Sequence, residues 1–464
     1  MRSTFIAFLL AASAGTAFAG DDERLAGDPP ADDLAKAADA TAEVANMPGD
    51  PDALAKAADA TAEVAAVPPG DAPAAAPAAA PTKASSDDID LSALGLDPAA
   101  SGFDDKLNLY GFADFGFSGL HWDKESPLFA NDTKTFAVGN LNVYLAKNLT
   151  QKARALTEVR FTFLPNGSQN LLAGTTVDDT ANDPTNLNRP VQWGGIVIER
   201  AYVEYDLTEH LTVRGGHWLT PYGVWNIDHG SPVIIPTSRP YIIGEQFFPE
   251  HQTGLELLGS YTTSGYKIGY HATVSNGRGG SEAQNDVDSK LAFGGRLELE
   301  TPWGLRLGAS YYRGRYTALT TTAGQMAQTF LEASYGADAQ YDRGPLHLQA
   351  EVIAREHHYT SGARMASPAG FMPDGRDFGA YGLAGYRFDR MWNVMPFAVY
   401  ENYEPTDHTL FERVDASTLG LNFRPTGTLV LKTEATYVMF NNDGPALLAG
   451  MKLWLFAGQA SWVF

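Results

Sequence analysis

From Lys106 to its last residue the chain alternates apolar with polar or small residues, in about sixteen separate runs. KLNLYGFADFGFS, EVRFTFL, AYVEYDLT, KLAFGGRLELE, LVLKTEATYVMF and the terminal KLWLFAGQASWVF are examples. A period of two sends successive side chains to opposite faces, so each run predicts a strand with one apolar face. The connections alternate in length. Short turns fall near residues 207–209, 262–265, 301–304, 342–345, 388–393 and 425–428. Long polar stretches fall near 119–134, 165–194, 219–250, 276–289, 315–328, 357–375, 403–410 and 441–449. Short turns at one rim and long loops at the other are the arrangement of an outer-membrane barrel. The expected fold is all-β: a transmembrane antiparallel β-barrel of about 16 strands over residues 103–464.

Parity assigns the faces. Glu158 and Arg160 oppose Val159 and Phe161; Arg200 and Glu204 oppose Ala201, Val203 and Tyr205; Arg214 opposes Leu211 and Val213. Arg296, Arg306, Lys432 and Glu434 fall on the polar face of their runs in the same way. Lys or Arg facing lipid near the midplane costs about 2–4 kcal/mol. The polar face is therefore expected to line a water-filled lumen.

The third long stretch, within Trp218 to Gly254, is rich in aromatic, Pro and Gly residues. A loop of this length inside a compact domain is functional or disordered, and its apolar load argues for packing against a wall. It is expected to fold into the barrel as a constriction. Its titratable members are Asp228, His229, Arg239, Glu245, Glu250 and His251. One reading sets these acids against wall arginines Arg160, Arg200, Arg214, Arg296 and Arg306 across a narrow opening, a field that selects by size and charge without covalent chemistry. The other has the same groups satisfy one another as structural ion pairs.

Residues 1–102 are a different material. Arg2, the apolar run from Phe5 to Ala12 and Ala17-Phe18-Ala19 read as a secretory signal over residues 1–19. Residues 20–102 are rich in Ala, Pro and Asp and cannot bury a core, so a disordered, partly helical periplasmic arm is expected. Within it LAKAADATAEVA occurs at Leu34 and again at Leu54, a repeat of about twenty residues. The copies serve as a solvated tether or as a docking or trimerising element. Residues 1–102 hold 5 Lys or Arg against 17 Asp or Glu, and residues 103–464 hold 28 against 38. An acidic chain without a basic stripe excludes nucleic acid as the expected partner. There is no cysteine, hence no disulfide and no lipoprotein anchor. After the signal no apolar run of about 18 residues marks a membrane helix, which leaves barrel strands untouched.

Catalytic and metal signatures are missing. G-x-S-x-G and H-E-x-x-H do not occur, and Gly277-Arg278-Gly279-Gly280 lacks the Lys and Ser or Thr of a phosphate-binding loop. The adjacent His357 and His358 point to opposite faces of a strand and cannot share one ion. Asp228-His229 with His251 has no recognised ligand spacing. No enzyme activity, cofactor or metal is expected.

The segments LTPYGVWNIDHG with EHQTGLELLG, VSNGRG, FGGRLELETPWGLRLGASYYRGR and PFAVYENYEP, from about residue 106 onward, resemble the bacterial outer-membrane porins related to the phosphate-selective porins O and P. The terminal Ala460-Ser461-Trp462-Val463-Phe464 resembles the carboxyl-terminal signature of outer-membrane proteins. The resemblance implies a homotrimeric channel of sixteen strands whose third external loop enters the pore. Phosphate selectivity is not carried over, because residues 103–464 contain only nine lysines and acids outnumber bases. The expected function is passive diffusion of small hydrophilic solutes or ions through a porin-like channel in outer-membrane lipid, constricted by the loop at 219–250. The alternative is a non-conducting barrel that anchors an envelope-spanning assembly, its arm binding a periplasmic or cell-wall partner.

Overall fold

The computed structural model describes residues 106–124, 132–162, 195–226, 230–244, 246–279, 288–319, 326–359, 374–389, 393–406, 408, 411–441 and 446–464. The signal and the repeat-bearing arm lie outside these residues, as do Asp228, His229 and Glu245. Sixteen strands follow in order: β1 (Leu107–Trp122), β2 (Asp132–Asn148), β3 (Ala153–Thr162), β4 (Gly195–Asp206), β5 (Leu211–Leu219), β6 (His251–Thr263), β7 (Tyr266–Ser275) and β8 (Ala292–Glu300). The second half runs β9 (Leu305–Leu319), β10 (Met326–Arg343), β11 (Leu346–Tyr359), β12 (Gly375–Tyr386), β13 (Met395–Glu404), β14 (Val414–Phe423), β15 (Leu429–Phe440) and β16 (Lys452–Val463). Each pairs antiparallel with its neighbours in sequence, and β1 closes on β16 from Phe112↔Val463 to Trp122↔Leu453. Closure leaves no unpaired edge.

Connections alternate as the sequence pattern requires, from the two residues 264–265 between β6 and β7 to residues 220–250 between β5 and β6. Two expected loops are shorter than their polar stretches. Residues 119–122 and 132–134 belong to strands, β1 reaching Trp122 and β2 starting at Asp132, and β9 and β10 leave only 320–325 between them. The reason is that hydrogen bonding between strands continues after the outward face has turned polar, as at Arg313 and Arg315 of β9. Loss of apolar alternation marks the end of the greasy face and not the end of the ladder.

The parity holds through the register. Leu255, Leu257, Phe293, Leu297, Leu307, Leu419, Phe456 and Trp462 are exposed on the outer face, while Glu158, Arg200, Glu204, Arg214, Glu256, Arg296 and Asp338 are buried on the inner one. A bulge between Glu158 and Val159 refines it: Glu158 pairs with Arg200 but Val159 with Ile198, so the consecutive Glu199 and Arg200 are both buried. The extra residue of a bulge does this by shifting the local register by one.

Candidate functional site

Residues 220–250 enter the barrel, and inward side chains of the far wall hold them there. Thr220 N–H donates to the carbonyl of Glu250 at 2.9 Å, tying the base of the segment together. From this base Tyr222 sends its hydroxyl to Thr273 of β7 at 2.6 Å, and Gly223 N–H reaches Ser310 of β9 at 3.2 Å. Burial raises the Tyr222 hydroxyl well above its ordinary value, so it stays protonated. Gly223 has φ +73°, and a Cβ there would run into the Glu351 carboxylate of β11. Only glycine takes this turn without strain.

Further along, main-chain carbonyls of the segment meet donors on β14, just beyond its end and on β15. Asn422 donates to Ile235 O at 2.9 Å, Lys432 to Pro236 O at 3.0 Å and Arg424 to Pro232 O at 2.8 Å. Burial, and then the like charge of Arg387, push Arg424 down to about 10; it remains a cation at neutral pH. The segment then presents donors to acids. Thr237 gives its N–H to Glu434 at 2.7 Å, and the Thr237 and Ser238 hydroxyls bind the same carboxylate. Tyr241, first residue of a single helical turn α1 (Tyr241–Gly244), gives its N–H to Glu401 of β13 at 2.6 Å. The Phe247 carbonyl accepts from Ser334 of β10. Arg278, just beyond β7, donates to the Gln246 carbonyl at 2.6 Å and chelates Glu332, whose charge and hydrogen bonds hold the guanidinium above its ordinary value against the cost of burial.

An apolar cluster fills the space between these polar anchors. Tyr222, Trp225, Ile242, Phe247 and Phe248 pack with Tyr312, Ile353, Tyr381 and Tyr403 of the wall, and with Leu448 and Met451 before β16. Trp225 meets Tyr381 edge-on at 6.3 Å, and Tyr241 stacks on Tyr403 at 6.1 Å. Aromatic contacts of this kind add about 0.5–1.5 kcal/mol each beyond the area they bury.

Except for Arg296, whose acids lie on its own strand and two strands away, the wall arginines find their acids on adjacent strands. Arg200 donates to Glu158 at 2.6 Å. Arg214 is held by Glu204 and, at 2.7 Å, by Glu256, with all three fully buried. Arg160 pairs with Glu199 at 2.6 Å and lies within electrostatic reach of the loop acid Glu250. Arg296 bridges Glu298 and Asp338, both at 2.6 Å. Arg306 pairs with Asp342 at 3.2 Å in an exposed position near the short-turn rim. Arg239 pairs with Glu250 inside the loop. Across the gap, Glu250 and Arg160 are within electrostatic reach of each other, while Arg200, Arg214 and Arg296 are seen in ion pairs within the wall, and Glu158, Glu204, Arg214 and Glu256 are fully buried. The reason is register: an arginine on one inner face has the acid of the next strand about 5 Å away, far nearer than a loop across the lumen.

Sequence reasoning missed the residues that seat the loop. Glu401 was not singled out, and Glu434 was placed on the inner face without a role. Among the described residues neither makes an ion pair, nor does Glu351, whose Oε1 has no hydrogen-bond partner there. An inner-face acid with no base at the paired position of the neighbouring runs was the available signal. His357 is buried and His358 exposed, on opposite faces as expected. Among the described residues no group of three or more His, Asp or Glu could hold a metal ion.

No family model matches the chain. An uncharacterised protein of Aquifex aeolicus (strain VF5) is 27% identical over 136 residues, 26% of this chain and 30% of that protein, so the match spans less than a third of the relative. Among solved structures the chain is similar to the anion-selective porin from Comamonas acidovorans (TM-score 0.48, 10% identity, 77% of this chain and 99% of that one). It is also similar to the outer-membrane channel DcaP of Acinetobacter baumannii (0.47, 12%, 77% and 97%) and to OmpT of Vibrio cholerae in its trimer form (0.46, 10%, 77% and 99%). The fold stands on the strand register described above, and no role is drawn from these likenesses.

Proposed function

We propose that the chain is an outer-membrane β-barrel channel for the passive diffusion of small hydrophilic solutes or ions, narrowed by residues 220–250. The membrane setting is supported by the outer face, where large apolar side chains from Leu109 and Phe136 round to Trp454 and Phe456 stand exposed. A contiguous apolar band of this kind is a membrane or partner surface. The short-turn rim then faces the periplasm, the same compartment as the arm of residues 20–102, with residues 1–19 as the export signal. We also propose kinship with the porins related to the phosphate-selective porins O and P, and assembly as a homotrimer, without phosphate selectivity.

The observation that carries the constriction is the seating of the loop on Glu401 and Glu434 across the barrel from its own strands. The seat makes it a fixed obstacle, and selection follows from what remains beside it. A small single-channel conductance in planar bilayers is expected, rising when the loop is released by Glu401→Ala with Glu434→Ala.

A second reading has its own support. The inner charges Glu158, Glu204, Arg214 and Glu256 are fully buried, as in a plugged barrel that serves as an envelope anchor through its arm. Silence in the bilayer from both the native protein and the released variant, with periplasmic partners retained through residues 20–102, would replace the channel by the anchor.

A further inference from the structure

The outer face of β9 to β12 changes character sharply near the long-loop rim. On β9 the outward residues are Leu305, Leu307 and Ala309, and then Tyr311, Arg313 and Arg315. Register aligns the change across strands. Tyr311 pairs with Tyr335, and Phe378 of β12 lies in the same belt of rings. One row beyond, Arg313 pairs with Ala333, Ala333 with Glu356 and Glu356 with Arg376. The cost of an outward arginine falls from about 2–4 kcal/mol at the midplane to about 0–1 near the interface. A row of rings followed by a row of arginines therefore marks where hydrocarbon gives way to headgroups.

These arginines are not consumed by the protein. Arg313 is exposed and makes no hydrogen bond or ion pair with any described residue. Arg376 is exposed and rests its guanidinium over the rings of Tyr335 at 5.6 Å and Phe378 at 6.0 Å, with no ion pair among the described residues. The acid between them, Glu356, accepts from the Tyr335 hydroxyl at 2.6 Å instead. Arg315 stands one row further out, 3.9 Å from Asp288, and His358 is exposed in the same row. Arg313 and Arg376 are three strands apart, about 14 Å at ~4.8 Å per strand. Cations on an outward barrel face at headgroup depth meet lipid phosphate, and the planar guanidinium fork matches two phosphate oxygens at once.

We propose that this face binds the phosphate groups of an anionic lipid in the facing leaflet, with Arg313 and Arg376 as the phosphate ligands and Tyr311, Tyr335 and Phe378 as the apolar shelf beneath them. The proposal rests on the membrane reading above and is independent of conductance.

The test is native mass spectrometry of the full chain released from vesicles of equal parts phosphatidylcholine and phosphatidic acid with the same acyl chains. Retained phosphatidic acid is expected to exceed phosphatidylcholine on the native protein, and the excess is expected to fall about tenfold or more in Arg313→Gln with Arg376→Gln. Arg306→Gln, at the opposite rim, should keep it. Should the glutamine pair fail to fold, the lysine pair keeps the charge, loses the fork and is expected to retain part of the excess. Equal retention by native protein and glutamine pair overturns the proposal. So does displacement of the lipid by inorganic phosphate at equal concentration, which makes the site one for a soluble anion, or a change of oligomeric mass in the variant with lipid retention untouched, which makes the face a contact between copies. A chain that does not insert into the vesicles at all sinks the membrane reading, whereas insertion without lipid excess sinks this proposal alone.

Discussion

The N–H of Tyr241, at the start of a single helical turn, donates to Glu401 at 2.6 Å from the far wall of the barrel. Among the described residues no lysine or arginine forms an ion pair with that carboxylate. Its acceptor oxygens serve the loop, so the loop's position and the acid's satisfaction depend on each other.

Glu401→Ala leaves a buried N–H without acceptor, a loss of about 1–3 kcal/mol. Glu434→Ala removes the acceptor of Thr237 N–H and of two hydroxyls, and is expected to cost more. Chymotrypsin reports the result: Tyr241, Phe247 and Phe248 are buried in the native protein and should become cleavable in the double variant at temperatures where the barrel stays folded. Unchanged resistance would show that the aromatic cluster alone seats the loop.

Two arginines separate buried from exposed pairing. Arg214→Ala abandons Glu204 and Glu256 in a dry site and should destabilise by about 3–5 kcal/mol. Arg306→Ala loses a solvent-exposed partner, Asp342, and should cost under about 1 kcal/mol. Urea unfolding in lipid vesicles measures both; equal effects would mean that water reaches Arg214.

At Gly223 the positive φ and the adjacent Glu351 carboxylate leave no room for a methyl group. Gly223→Ala is expected to cost about 1–3 kcal/mol through strain and to displace the entry of the loop. Phe247→Ala, by opening a void beside Tyr403, should cost about 3–5 kcal/mol. Both variants should raise single-channel conductance; a rise in neither would separate the loop from the conducting path.

Among the described residues the inner groups without an ion pair carry both signs: Asp114, Glu351, Glu401 and Glu434 against Lys432 and Arg424, which donate to loop carbonyls. Reversal potentials in a salt gradient are therefore expected to show only a weak ion preference. A steep preference for either ion would contradict this.

What the sequence by itself determined is the number and parity of the strands and which loop is long and apolar. These are local properties: the pleat fixes a period of two, so Arg200 and Arg214 could be assigned to the inner face from their own runs. The tertiary structure decided who meets whom. Arg214 lies between Glu204 and Glu256 because β4, β5 and β6 are neighbours in one register. Glu401 and Glu434 meet loop positions 160 and 197 residues earlier in the chain. A strand's pattern states the face a side chain takes, whereas its partner across a closed sheet is set only when sixteen strands have fixed the curvature and the loop has settled against the wall.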